Sequence, residues 1–175
     1  MGPAAVGDTG AARAPARRFG HGWLGLALVA LAWPLNWGLE GLRTHVLFFP
    51  LWLGYVLAVD GLVLLRRGSS PLTRAPRRFP LLFLASAPIW WIFELFNLRL
   101  GNWQYLAREQ FSDLEYFAYA SLSFSTVLPA VLVSAELVRS TRWVERFAGG
   151  PRLAYSPARG RAYVMVGLAL LTALL

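Results

Sequence analysis

Four polar side chains stand where a long apolar sequence should bury them: Asn36 and Glu40, then Glu94 and Asn97. Trp33, Asn36, Trp37 and Glu40 follow helical spacing and share one face, and Trp90, Glu94 and Asn97 share another. Each group precedes a polar loop by only a few residues, so the two faces lie at matched depth. If they meet, they enclose a pocket holding two carboxylates, two amides and the indoles of Trp33, Trp37, Trp90, Trp91 and Trp103. A carboxyl in such a pocket is a candidate general acid, and indole faces stabilise a cation. The plainer reading competes with this one. Polar groups within about two turns of a helix end reach headgroup water, and tryptophans there form the interfacial aromatic belt. A second polar set lies at the opposite ends of the apolar runs. Asp60 precedes Arg66 and Arg67, and Glu136 precedes Arg139, a placement that suits ion pairs fixing helix ends.

The elements that position these groups are membrane spans. The chain has 175 residues, 57% hydrophobic and only 15% charged, which is too apolar for an ordinary soluble domain. Five apolar runs are expected as helices, at about 20–39, 46–65, 79–98, 116–138 and 162–175. The first four have roughly the 20 residues needed to cross a hydrocarbon core of about 30 Å. The fifth is shorter and ends on Leu174 and Leu175 in mid-run, as a truncated span would. The expected fold is therefore all-α: a polytopic transmembrane helical bundle of four full spans and a fifth partial or truncated one. A charge at the bilayer centre costs roughly 2.5–3.5 kcal/mol on insertion scales, so Glu94 within such a run marks a functional candidate.

Residues 1–19 are rich in Ala, Gly and Pro and read as a disordered basic tail ahead of a single domain, 20–175. Arg17 and Arg18 before an apolar run, with Ala30-Leu31-Ala32 within it, also suit an export signal. The run continues past Ala32 to Leu39, however, which favours an uncleaved first helix. Pro34, Pro50, Pro88 and Pro129 are expected to kink the first four helices. Ser121 and Ser125 offer a close helix contact on the fourth.

The net charge is +8, and every basic residue is arginine. Fourteen arginines lie before the first run, between the second and third, and between the fourth and fifth; only Arg43, Arg99 and Arg108 lie in the other two loops. This asymmetry puts the N-terminus in the cytoplasm of a cell, inner or plasma, membrane, with the 41–45 turn and the 99–115 loop facing outward. The basic segment 66–78 reads as a solvated turn whose arginines meet anionic lipid headgroups. Arginines placed between apolar runs argue against a nucleic-acid partner.

Absences narrow the chemistry. Without cysteine there is no thiolate catalysis, disulfide or iron–sulfur ligation. Without lysine there is no retinal Schiff base. Two histidines near the span boundaries do not suit bis-histidine haem, and no spacing suits a metal site. No phosphate loop or nucleophile elbow occurs. No cofactor is therefore expected, and the bilayer itself and a hydrophobic lipid ligand are the expected partners.

The order Trp91, Glu94, Gly101, Trp103, Tyr105, then Leu114-Glu115 and Phe117 opening the next helix, resembles the membrane domain of bacterial and fungal lycopene cyclases. The likeness covers about thirty residues. The family's Pro-Leu-Glu-Glu-like motif is here Ser112-Asp113-Leu114-Glu115-Tyr116, without its proline and second glutamate. The resemblance implies a non-redox enzyme acting on a carotenoid or other polyprenoid, with Glu94 or Glu115 as the catalytic acid and Trp90, Trp91 and Trp103 around the cation. The stretches FFPLWLGYVLAVDGL and WWIFELFN are also similar to a class of small bacterial membrane proteins, a likeness that implies no activity. A transporter subunit or a membrane assembly partner are further readings. Few polar residues lie at mid-membrane, which places transport last.

Overall fold

The computed structural model describes residues 19–41, 46–106, 108–147, 149–150 and 156–174. Among them every regular element is helical: α1 (Gly22–Gly38), α2 (Phe48–Arg67), α3 (Pro71–Arg74), α4 (Phe79–Leu100), α5 (Asp113–Phe124), α6 (Val127–Arg139) and α7 (Pro157–Leu174), with short 3₁₀ turns at Arg108–Gln110 and Arg142–Phe147. Three helical segments are long and apolar enough to cross a membrane: Phe48–Arg67, Phe79–Leu100 and Asp113–Arg139, the last comprising α5, its break and α6. The helix α1, with 17 residues, sits at the lower limit for a crossing. Large apolar side chains cover the outside, such as Leu84 on α4 and Leu31 on α1. A solvent-facing protein would bury them, whereas lipid accepts them.

The core gathers around α2. Val56, Val59 and Val63 are buried there, and Phe79 of α4 with Ala130 and Val133 of α6 complete the centre. On its other side α2 packs along α1 through backbone-to-backbone approach. A Cβ added at Gly25 would fall on the backbone of Ala58 and 2.6 Å from the Gly54 carbonyl, and one added at Gly61 would come 2.6 Å from the Gly22 Cα. Small residues at such spacing let two helices in lipid gain van der Waals contact that larger side chains would prevent.

The expected single helix over 116–138 is two helices. Pro129 lacks the N–H that the Ser125 carbonyl needs. The buried Ser86 hydroxyl of α4 enters the gap, donating to the Phe124 carbonyl at 2.5 Å and accepting from Leu128 N–H at 3.0 Å. A side chain inserted into the helical ladder is a recognised cause of a sharp break. The other three prolines interrupt no helix. Pro50 lies in the first turn of α2, where its missing N–H costs nothing, and α1 and α4 continue through Pro34 and Pro88.

The basic segment between α2 and α4 is not a free solvated turn. Ser70 and Thr73 form a capping box on α3, and Ser70 and Pro71 are buried. The buried Asp60 carboxylate accepts Leu72 N–H at 3.0 Å and meets His21 Nε2 at 2.7 Å. Asp60 therefore joins α1, α2 and α3, and its partner is His21 rather than Arg66 or Arg67. Those arginines bond instead to Ser140 and to the Arg139 carbonyl. Glu136 meets Arg74 at 3.0 Å and Arg139 at 3.9 Å. The tail up to residue 18, and residues 42–45 of the expected outward turn with Arg43, lie outside the described residues. The last helix begins at Pro157, five residues earlier than expected, and its described side chains from 161 to 166 are exposed.

Candidate functional site

Glu94 lies on the inner face of α4 and is only 8% exposed. The chain returns to it because α4 stops at Gly101, whose φ of +61° suits glycine best. Asn97 then clamps the turn from both sides. Its Oδ1 accepts Trp103 N–H at 3.0 Å, and its Nδ2 donates to the Trp103 carbonyl at 2.9 Å. The clamp brings Trp103 and Tyr105 over Glu94. One carboxylate oxygen, Oε1, accepts three hydrogen bonds: from Tyr105 OH at 2.6 Å, Trp90 Nε1 at 3.1 Å and Trp103 Nε1 at 3.3 Å. Indole N–H groups can only donate, so the carboxylate acts as their acceptor. No arginine among the described residues forms an ion pair with it. The Tyr105 phenol is pushed up to about 12, first by burial and then by its bond to Glu94 and the carboxylate charge.

Tyr105 and Trp90 also face a cavity of about 560 Å³ on their other side. Its walls come from α2 (Phe48, Trp52), α4 (Trp90), the 101–112 loop (Tyr105, Arg108, Phe111), α5 (Tyr116, Tyr119, Phe124) and the start of α6. That volume falls in the range of small-molecule sites. The rings interlock: Trp90 lies 5.9 Å from Phe124, and Tyr105 stands edge-on to Tyr116 at 6.1 Å. The Arg108 guanidinium sits 4.2 Å above the Tyr116 ring, donates to the Phe111 carbonyl at 3.0 Å and pairs with Asp113. The α5–α6 break also borders the cavity, through Phe124, Thr126 and Val127. Irregular backbone at membrane depth is tolerated where it is buried in protein or lines a cavity.

The residues singled out in the sequence divide into groups. Trp90, Glu94, Asn97 and Trp103 form one hydrogen-bonded cluster. Trp91 points to the α4–α5 contact, stacked on Phe117 at 5.2 Å and donating to Ser121 at 2.9 Å. Glu115 closes the capping box of α5 with Ser112 and is exposed. The residues of α1 stand apart: Trp33, Trp37 and Glu40 are exposed and Asn36 is half-buried, on a helix that packs against α2. The Glu94 cluster is built without them. Metal-binding groups of three His, Asp or Glu do not occur among the described residues.

Most of the cavity wall escaped the sequence reading. A signal was present: Tyr116, Tyr119, Ala120, Ser123, Phe124 and Val127 recur at helical spacing on one face. Comparison of the chain with protein-family models, with curated proteins and with solved structures finds no match in any of the three.

Proposed function

We propose that this chain is a multi-pass protein of the cell membrane that holds a hydrophobic lipid in the aromatic cavity between α2, α4, α5 and α6. One observation carries the reading: a cavity of about 560 Å³, walled by rings from three helices and a loop, within helices apolar enough to cross a membrane. Rings that stack and an apolar floor suit an isoprenoid or polyene chain better than a polar solute. In this reading α1 is a further span and α7 a partial fifth. The N-terminus is cytoplasmic, the 101–112 loop caps the cavity from outside, and the inner arginines meet anionic headgroups.

The cyclase-like reading, with Glu94 as acid, draws less support from the geometry. Glu94 does not border the cavity, and Oε1 already accepts three hydrogen bonds. Its arrangement favours an anchor that holds the Trp103–Tyr105 loop as the cavity wall. Native mass spectrometry of the purified protein tests the binding reading. The expected result is a stoichiometric lipid adduct that is lost when Ala120→Trp fills the cavity. Equal adducts on both proteins would overturn it.

A further inference from the structure

Among the described residues that wall the aromatic cavity, all are uncharged except Arg108, which sits on the loop at one end of it. Its charge is weakly committed. The partner, Asp113, is 97% exposed, and an ion pair so open to water is easily exchanged for a better one. Beside it stands a phenolic donor. The Tyr116 phenol borders the cavity, has no hydrogen-bond partner among the described residues, and its ring lies directly beneath the guanidinium. Beyond these two groups the wall is mostly apolar, through Trp52, Phe124 and Val131, and the Tyr105, Ser123 and Thr126 hydroxyls on it donate to Glu94 and to the Tyr119 and Ser123 carbonyls.

This polarity has a direction: a cation and a phenolic donor at the loop end, rings and aliphatic side chains beyond. We propose that the cavity takes a single-chain amphiphile with an anionic head, a carboxylate or a phosphate. Its head replaces Asp113 at Arg108 and accepts from Tyr116, and its hydrocarbon chain lies among the rings. The inference rests on the lipid-binding reading and adds the charge and orientation of the ligand. Guanidinium–carboxylate and guanidinium–phosphate contacts are charge-assisted and strongest away from water, which the apolar wall supplies. A neutral chain of equal length gains only the burial of its tail.

Titration of the detergent-purified protein with oleic acid and with methyl oleate, read by native mass spectrometry, tests this. The expected result is one saturable site that prefers the acid by about tenfold, the scale of one charge-assisted contact. Arg108→Gln should bring the acid down to the affinity of the ester, and Tyr116→Phe, which keeps the ring, should remove part of the preference. The ester, which has no charge for either group to meet, should lose less than the acid in both variants. Oleyl phosphate titrated alongside tells a phosphate head from a carboxylate head by which of the two binds more tightly. Equal binding of acid and ester by the wild type, both lost in Ala120→Trp, would overturn the anionic head while leaving the cavity as a lipid site. Unchanged binding of both in Ala120→Trp would overturn the cavity reading together with the inference built on it.

Discussion

Glu94 shows how one buried carboxylate can organise a loop with no ion pair to it among the described residues. Three donors converge on Oε1, two of them indoles. Hydrogen bonds to a charged group are worth about 1.5–3 kcal/mol each, and stranding a buried donor costs about 1–3 kcal/mol. Glu94→Gln keeps an acceptor and should lower the melting temperature modestly in detergent. Glu94→Leu strands all three donors and should lower it several times further, while the Trp103–Tyr105 loop becomes open to protease. Equal melting of both variants and the wild type would refute the anchor role. Tyr105 gives a pH-dependent prediction. Its native pKa, raised to about 12 from 10.0, means the native state holds the phenol proton more tightly than the unfolded chain does. The resulting stability is fully present below pH 10 and is lost as pH rises through about 12. Thermal melts between pH 9 and about 12 should therefore fall more steeply for the wild type than for Tyr105→Phe, which has no phenol proton to lose.

At the scale of elements, two devices hold the helices in place, and each makes a distinct prediction. The first is the Ser86 hydroxyl in the α5–α6 break. Ser86→Ala leaves the Phe124 carbonyl and the Leu128 N–H unpaired in a buried site, which should cost about 1–3 kcal/mol. Ser86→Thr, which keeps the hydroxyl, should recover part of the loss in a melting experiment. The second is the glycine contact between α1 and α2. Gly25→Leu cannot be accommodated by a rotamer change, because the obstruction is the backbone of Gly54 and Ala58. Crosslinking between cysteines placed at Leu28 and Leu53, on the facing helices, should be efficient in the parent and drop sharply in the variant. Undiminished crosslinking would show that α1 is held by something other than close approach.

At the scale of the whole molecule, the proposed orientation follows from arginine placement alone, so it can be tested without a ligand. The chain has no cysteine, which gives a clean background for labelling. Pro76→Cys and Gln104→Cys both sit at exposed positions, on opposite sides of α4. An impermeant thiol reagent on intact cells should label the residue at 104 and spare the one at 76. The reverse pattern would invert the topology and put the Arg108 end of the cavity on the cytoplasmic side. The arginines that end α2 and α3 are also more than a charge pattern. Arg66, Arg67 and Arg74 tie α2 and the α3 segment to α6 and its end, so removing them should loosen the bundle as well as weaken the topological signal.

The sequence by itself determined the all-helical membrane character of this protein. That property is local: runs of apolar residues of spanning length, punctuated by arginine, cannot be satisfied in any other way. It also marked the Trp90–Tyr105 stretch, because a carboxylate within a span is costly wherever the helices go. Only the tertiary structure decided what surrounds that carboxylate. Whether Glu94 meets an arginine, α1 or its own following loop depends on helix rotation and on the turn at Gly101, neither of which a helical period encodes. The same holds for Asp60, whose nearest charged residues in sequence are Arg66 and Arg67 and whose partner in space is His21, thirty-nine residues away. The break within Asp113–Arg139 needed both levels. Pro129 announces a weak point in the sequence, but the hydroxyl that fills it comes from α4, forty-two residues before Leu128. The aromatic cavity lay furthest from view. Its rings are scattered from Phe48 to Phe124, and in a membrane sequence each one is indistinguishable from a lipid-facing ring until packing turns them toward a common space.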